Sequence, residues 1–284
     1  TLHTDLRKFE LLQYWLAVGN HTLMVDSYRE SIHHYEKTHP DPVVLAKAMS
    51  EIGEFFRLSG DFDSAEPYLR RALMLRDKHL GTLEQGTLES LNRLGSLLLE
   101  KGNYLDAETF LRTALAIAEA MYGSFHPVVA HNLNDMGMLY FAKGNSTAAE
   151  PLLRRALMIR SMNYGTNHPL TAQSLSNVGQ LLRSQGDLAA AEEHCGRALE
   201  IQKTLYGDEH PDVAVSMGNV ALILRLRANY EQAEQMYHQL LAMWGKTLGE
   251  HHPNYSATLY EFGELLYEKG DYTGAEDILK QALA

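Results

Sequence analysis

Apolar residues recur at intervals of three and four along most of this chain, and glycine or proline separates the runs. Such spacing places apolar side chains on one face of an α-helix. One run extends from about Pro127 to Lys143, with Leu133, Met136 and Leu139 on the same face. Its proline suits the first helical position, where no backbone N–H is needed. The pattern predicts an all-α chain of short helices.

The helical pattern repeats every 42 residues, and small residues mark each unit. The first small position holds Gly53, Gly95, Gly137, Gly179, Ala221 and Gly263. An alanine followed by glutamate recurs at Ala65, Ala107, Ala149, Ala191, Ala233 and Ala275. Helix N-caps are expected at Asp61, Asn103, Asn145, Asp187, Asn229 and Asp271. The units close on Gly81, Gly123, Gly165, Gly207 and Gly249. Each unit therefore predicts two helices that approach closely at the small residues.

This arrangement resembles the tetratricopeptide repeat. The signature positions hold Gly95, Ala107, Leu111 and Ala114 in the second unit, and Gly137, Ala149, Leu153 and Ala156 in the third. The 42-residue length and the strings HPxxAxSLxN, AExxLRRAL and YGxxHP are similar to the repeats of kinesin light chains and of the third nephrocystin. The resemblance implies a right-handed superhelical solenoid of antiparallel helix pairs.

The repeat also predicts the domain organisation. Residues 1–41 are expected to form a degenerate helical pair that caps the N-terminal end. Six units are expected at 42–81, 82–123, 124–165, 166–207, 208–249 and 250–284, the last of them truncated. An uncapped end is expected there, with its apolar side exposed or covered by another copy. The ELLxYW string near the start resembles the segment that enters the repeats of nephrocystin-like proteins, where a nucleotide-binding signalling domain precedes them.

Composition narrows the function classes. The 284 residues carry a formal net charge of −11, which argues against nucleic acid as a partner, because phosphate binding relies on Lys and Arg. One cysteine excludes an internal disulfide, and no apolar run is long enough to insert into a membrane. These features predict a cytoplasmic protein that needs no cofactor.

Catalytic and metal chemistry is not expected. Four of the 14 histidines, His126, His168, His210 and His252, lie in the repeated His-Pro loops, one whole unit apart, which is too far for a shared metal ion. The adjacent pair His33 and His34 would point in different directions on a helix. His194 and Cys195 suggest a base and a nucleophile, but Cys195 occupies a position that is leucine in other units. It is expected to be buried and inert, so the chain is not expected to be an enzyme.

The resemblance implies that the first helix of each unit lines a concave groove that binds peptides. The matching positions give these binding residues: Asn92, Leu99, His131, Asn134, Met138, Phe141, Gln173, Gln180, Arg183, Leu222 and Arg225. Amides can hydrogen-bond an extended backbone in both directions, the apolar side chains offer pockets, and Arg183 or Arg225 can meet an acidic residue. The apolar members could equally be ordinary contacts between successive helices.

Two functions follow. The first is a non-enzymatic, adaptor-like scaffold that binds short segments of partner proteins in the groove. The alternative is a sensor or self-association repeat region of a larger nucleotide-binding signalling protein of the STAND type, with end-to-end association through the uncapped last repeat.

Overall fold

The structure is a computed structural model that describes residues 41–283 together with Glu30, Ile32, His33 and Lys37. The expected N-terminal cap therefore lies almost wholly outside the described residues. Between residues 41 and 283 the chain forms twelve α-helices and no β-strand, which confirms the all-α prediction. The helices are α1 (Pro42–Leu58), α2 (Phe62–Leu80), α3 (Gln85–Glu100), α4 (Tyr104–Tyr122), α5 (Pro127–Ala142), α6 (Ser146–Tyr164), α7 (Pro169–Ser184), α8 (Leu188–Tyr206), α9 (Pro211–Leu226), α10 (Tyr230–Thr247), α11 (Pro253–Lys269) and α12 (Tyr272–Ala282).

The chain divides into two compact units, and the division falls within α5 between Leu139 and Tyr140. In the first unit α1 packs on α2, α2 on α3, and α3 on α4. In the second unit each helix from α6 to α12 packs on the next in the same way. Neighbours in sequence are thus neighbours in space, as antiparallel helix pairs require.

The small residues of the repeat lie where the two helices of a pair meet. A Cβ atom built on Gly53 would lie 2.7 Å from Leu69 Cγ, and one on Gly95 would lie 2.6 Å from Leu111 Cδ2. Ala65 on α2, whose carbonyl oxygen would lie 3.3 Å from the same Gly53 Cβ, is completely buried. Because a real Cβ does not fit at such distances, the glycines allow the close helix approach that their pattern predicts.

The Tyr-Gly-x-x-His-Pro loops have a shared geometry that explains their histidines. The ring of Tyr164 stacks on His168 with centroids 4.4 Å apart. His168 Nδ1 accepts a hydrogen bond from the Leu170 N–H at 3.2 Å, so the histidine is the N-cap of α7. The same stacking joins Tyr122 to His126 and Tyr206 to His210. These histidines therefore cap helices and order loops, a role that their spacing alone did not reveal.

In four of the repeats, the glutamate after the repeated alanine links its helix pair to the next one. Four such links are described: Lys101 with Glu66 at 3.0 Å, Gln185 with Glu150 at 3.0 Å, Lys269 with Glu234 at 2.6 Å, and Arg227 with Glu192. Each joins residues that are 35 positions apart. Partly exposed ion pairs contribute at most about 1 kcal/mol each, so their main effect is on the register between pairs.

The loop between α9 and α10 departs from the other units. Ala228 has a φ of 58°, whereas Gly186, one unit earlier, has a φ of 85°. The following residue, Asn229, makes no side-chain capping bond, contrary to the expectation; its Nδ2 donates to Gln232 Oε1 at 2.8 Å instead. The left-handed conformation costs an alanine about 1 kcal/mol or more, so this turn is strained.

We expect Ala228→Gly to raise stability by roughly 1 kcal/mol, because glycine adopts this conformation without the clash of a Cβ. The measurement is the midpoint of urea unfolding followed by circular dichroism. Gly186→Ala is the matched control and should lower the midpoint, since it introduces the same strain one unit earlier. A lower midpoint for Ala228→Gly would contradict the assignment of strain.

Candidate protein-interaction surface

In the first unit the first helices of successive pairs lie side by side. Arg93 Nη1 on α3 donates to the Ser50 carbonyl on α1 at 3.1 Å. Ser96 Oγ on α3 donates to Asp135 Oδ2 on α5 at 3.0 Å. We call the face of α1, α3 and α5 around Ser50, Asn92 and Asn134 the first-unit face; these three residues are buried and occupy equivalent repeat positions, 42 residues apart.

Asn92 stands out on this face. It is only 9% exposed, and its Oδ1 accepts no hydrogen bond from any described residue. Ser50 Oγ, one unit earlier, also lacks a partner within the described part of the chain. Asn134 Nδ2, one unit later, donates to Asp135 Oδ1 at 3.3 Å. A buried polar atom without a partner costs about 1–3 kcal/mol, so the surroundings of Asn92 favour an additional hydrogen-bond donor.

The other predicted residues of the first unit surround these amides. Leu99 and Met138 are half-buried, so part of each apolar side chain is accessible. His131 is exposed, and its Nε2 lies 3.7 Å from Asp135 Oδ2. This face therefore combines amides, accessible apolar groups and one histidine beside a carboxylate.

The second-unit face comprises the outward surface of the first helices α7, α9 and α11. Gln180 and Leu222 are half-buried on it. Gln173 is exposed, and its Oε1 accepts a hydrogen bond from Arg160 Nη1 at 3.1 Å. Arg160 is almost fully buried on α6, where Leu170 O and Ser174 Oγ also accept from its Nη1. Arg160 thus holds the Gln173 carbonyl in one orientation.

Phe141, at the end of α5, is half-buried.

Arg225 was expected to meet an acidic residue of a partner, but the structure surrounds it with carboxylates of its own chain. Its guanidinium lies 3.1 Å from Glu261, 2.9 Å from Glu264 and 2.7 Å from Glu268, all on α11. Burial opposes its charge, yet the charges of Glu268 and Glu261 raise the pKa of Arg225. Burial also raises the pKa of the Glu261 carboxyl. Arg225 therefore offers no free charge to a partner.

Arg183, which occupies the same repeat position one unit earlier, has different surroundings. Its side chain is half-buried and makes no hydrogen bond or ion pair with another described residue. Its positive charge acts on Glu261 from farther away. Of the two arginines that the sequence singled out, Arg183 remains the accessible one. In the sequence, the glutamates about one repeat after Arg225 were the signal that would have distinguished Arg225, which is paired, from Arg183, which is not.

The sequence pair His194 and Cys195 does not form a catalytic dyad. His194 Nδ1 bonds to the Ala190 carbonyl at 2.8 Å on its own helix. Cys195 is 1% exposed, and burial raises the pKa of its thiol to about 11. No group of three or more His, Cys, Asp or Glu side chains in the described part of the chain could hold a metal ion. His34 lies outside the described residues.

We expect the Cys195 thiol to resist labelling by a disulfide reagent near pH 8, because the reactive thiolate is suppressed and the sulfur is buried. Labelling should follow unfolding of the second unit and become rapid in urea. A Cys195→Ser variant gives the background. Rapid labelling of the folded protein would contradict the inert assignment.

None of the described helices is long and apolar enough to cross a membrane. No curated protein matches the sequence. Among solved structures, the chain is similar to a putative kinesin light chain with nearly identical TPR-like repeats from Podosopora anserina. That match has a TM-score of 0.60 at 23% identity and covers 69% of this chain and 92% of that one.

Two further structures show the same fold. BtubC (BKLC) from P. vanneervenii has a TM-score of 0.63 at 21% identity, covering 81% of this chain and 89% of its own. A signal transduction ATPase with numerous domains and a tetratricopeptide repeat sensor, from Pyrococcus horikoshii, has a TM-score of 0.69 at 15% identity, covering 99% of this chain and 42% of its own. The tetratricopeptide repeat model matches residues 44–120, 86–162, 129–203, 170–244 and 218–284. The chain therefore belongs to the tetratricopeptide repeat family.

Proposed function

We propose that this protein is a non-enzymatic, adaptor-like scaffold that binds short, extended segments of partner proteins on the faces formed by its first helices. The observation that carries the proposal is Asn92, a nearly buried amide on the first-unit face whose Oδ1 has no hydrogen-bond partner among the described residues. Oδ1 is itself buried, so an incoming backbone N–H would supply the missing donor once the Asn92 side chain turns outward.

The chemistry of the faces supports an extended peptide. A side-chain amide donates and accepts, so Asn92 and Asn134, which are 9% and 4% exposed, would pair with both backbone groups of a segment along the helices once their side chains turn outward. Leu99 and Met138 on the first-unit face, and Leu222 on the second, supply accessible apolar surface for its side chains. We assign the other contacts to His131, Phe141, Gln173, Gln180 and Arg183, while Arg225 acts by fixing the carboxylates of α11.

The comparisons support a repeat scaffold of the kinesin light chain kind through the shared fold. The closer likeness to the third nephrocystin stays a prediction from the repeat length and the loop motif. A cytoplasmic location is part of the same proposal, since it suits a protein that recruits partners through exposed polar faces.

A second candidate is the sensor or self-association region of a larger nucleotide-binding signalling protein. It is favoured by the fold similarity to the Pyrococcus horikoshii ATPase with a tetratricopeptide repeat sensor, which covers 99% of this chain and 42% of that protein. Helix α12 carries apolar side chains at its C-terminal end: Ile278 and Leu279 are half-buried, and Leu283, its C-cap, is 90% exposed. Such an end can pack against a second copy.

Replacing Asn92 and Asn134 by leucine tests the scaffold directly. Peptides are first selected on the wild-type protein from a random library displayed on phage. We expect the double variant to bind them about tenfold more weakly, because the amide pairing is lost while volume is nearly kept. Fluorescence anisotropy gives the affinity, and circular dichroism verifies the fold.

Asn254→Leu, which changes an exposed amide at the start of α11, is the matched control and should bind like wild type. If the double variant bound every selected peptide as tightly as the control, these asparagines would not be part of the binding surface.

Sedimentation velocity tests the second candidate function by measuring whether the chain associates with itself. If α12 mediates self-association, the chain should form dimers or larger species, and Leu283→Lys should shift it to monomer, since a charge does not pack into an apolar interface. Gln281→Lys, an exposed polar position on the same helix, is the control. A monomeric wild type at high micromolar concentration would argue against association through this end.

A further inference from the structure

Helix α11 presents aromatic and acidic side chains on one exposed face. Tyr260, Glu264, Tyr267 and Glu268 are spaced at i, i+4, i+7 and i+8, which places them on the same side of an α-helix. Tyr260 is 52% exposed and Tyr267 is 63% exposed, so two aromatic rings lie open to solvent on either side of Glu264 along the helix. We call these four residues the acidic aromatic face.

The carboxylates on and beside this face outnumber the cation that they hold. Glu261, Glu264 and Glu268 surround the single guanidinium of Arg225. Their side chains remain about one third exposed, although that of Arg225 is only 8% exposed. The contact group therefore keeps a net negative charge, and Arg183 offsets it only from a distance.

Hydrogen-bonding capacity also remains open in this group. Glu264 uses both oxygens, because Oε2 contacts Arg225 while Oε1 accepts from the Tyr260 hydroxyl at 2.9 Å. Glu268 uses only Oε1 and Glu261 only Oε2 in bonds to described residues. A carboxylate accepts about four hydrogen bonds, so both can accept more. Rigid carboxylates with unused oxygens suit a second cationic donor.

Buried atoms next to the carboxylates show that the internal network is incomplete. Arg225 Nε and Tyr237 Oη are both buried without a well-formed hydrogen bond to a described residue, although the Arg225 guanidinium lies close enough to Tyr237 to act against a rise in the pKa of its hydroxyl. Tyr237 is 1% exposed, and burial together with the charge of Glu261 raises the pKa of its hydroxyl. Both atoms are too deeply buried for a partner to reach, so the capacity for a further contact lies in the unused oxygens of Glu261 and Glu268.

We propose that the acidic aromatic face binds an arginine or lysine side chain of the partner segment, with arginine preferred. The tyrosine rings supply cation–π surface, and the carboxylates supply charge-assisted hydrogen bonds. Arginine is preferred because its planar fork can meet carboxylates on more than one edge and stack on an aromatic ring. This inference rests on the proposed peptide-binding function and deepens it: the partner segment is basic at this position, in contrast to the acidic residue expected from the sequence.

The test measures binding of two fluorescein-labelled probes, a peptide of alternating Arg and Gly and its counterpart with Glu in place of Arg, at constant ionic strength. We expect the wild type to prefer the Arg probe. Glu264→Gln combined with Glu268→Gln should weaken Arg-probe binding about tenfold, the size expected for charge-assisted hydrogen bonds. Tyr260→Ala combined with Tyr267→Ala should also weaken binding of the Arg probe. Because both rings are exposed, this tyrosine variant should fold even if the Glu→Gln variant does not.

The matched control is Glu193→Gln with Glu200→Gln, which removes the same charge from exposed positions of α8. If this control lost as much affinity as the α11 variants, binding would reflect only the net charge and the proposal would be overturned. Equal binding of both probes by the wild type, or unchanged Arg-probe binding by the α11 variants, would overturn it as well.

The leucine variants of Asn92 and Asn134 distinguish this inference from the proposed function. If they lose the library-selected peptides while the α11 variants bind the Arg probe like wild type, peptide binding stands and the basic specificity is wrong. If only the α11 variants lose binding, the basic site stands and the amide-lined surface is wrong.

Discussion

The close approach of the two helices within each pair is the constraint on which the rest of this structure depends. In four pairs a Cβ added to the first-helix glycine would lie 2.4–2.8 Å from a single side chain of the second helix: Leu69, Leu111, Cys195 or Leu279. This contact sets the spacing within a pair, and the repeated Glu links then set the register between pairs. Polar residues of the first helices recur at equivalent positions because the sequence repeats every 42 residues, and such regularly spaced polar groups suit the proposed binding of an extended peptide.

Buried arginines complete the connection from one pair to the next. Arg76 on α2 donates to Gly86 O and Ser90 Oγ of α3, and Arg160 on α6 donates to Ser174 Oγ of α7, all at 2.8–2.9 Å. These two arginines occupy the same repeat position, two units apart. A buried guanidinium is costly unless its donors are satisfied, so each specifies where the next helix must lie. The scaffold thus uses fixed polar bonds, as well as apolar packing, to align the helices that carry the proposed site.

The sequence predicted those features that depend on neighbours within one repeat. Asp61 and Asn103 cap helices as expected, and the sulfur of Cys195 lies in the leucine position beside Gly179, because caps and pair contacts are local. It failed where the decisive partner lies one repeat away. Arg225 appeared accessible from its position on α9, yet its partners stand 36 to 43 residues further on. Ala228 retains the turn despite its Cβ, since packing on both sides of a loop can override a local preference.

Part of the negative charge of the chain is concentrated at one site on α11. A net charge of −11 spread evenly over a surface would only keep the protein soluble and repel phosphate backbones. Here an internal arginine gathers three carboxylates and holds them beside two exposed tyrosines. The arginine therefore preorganises the carboxylates: it fixes their side chains before any partner binds, so little side-chain entropy remains to be lost on binding. Electrostatic attraction would speed the encounter with a basic segment, while the fixed carboxylates and rings would decide which side chain stays bound.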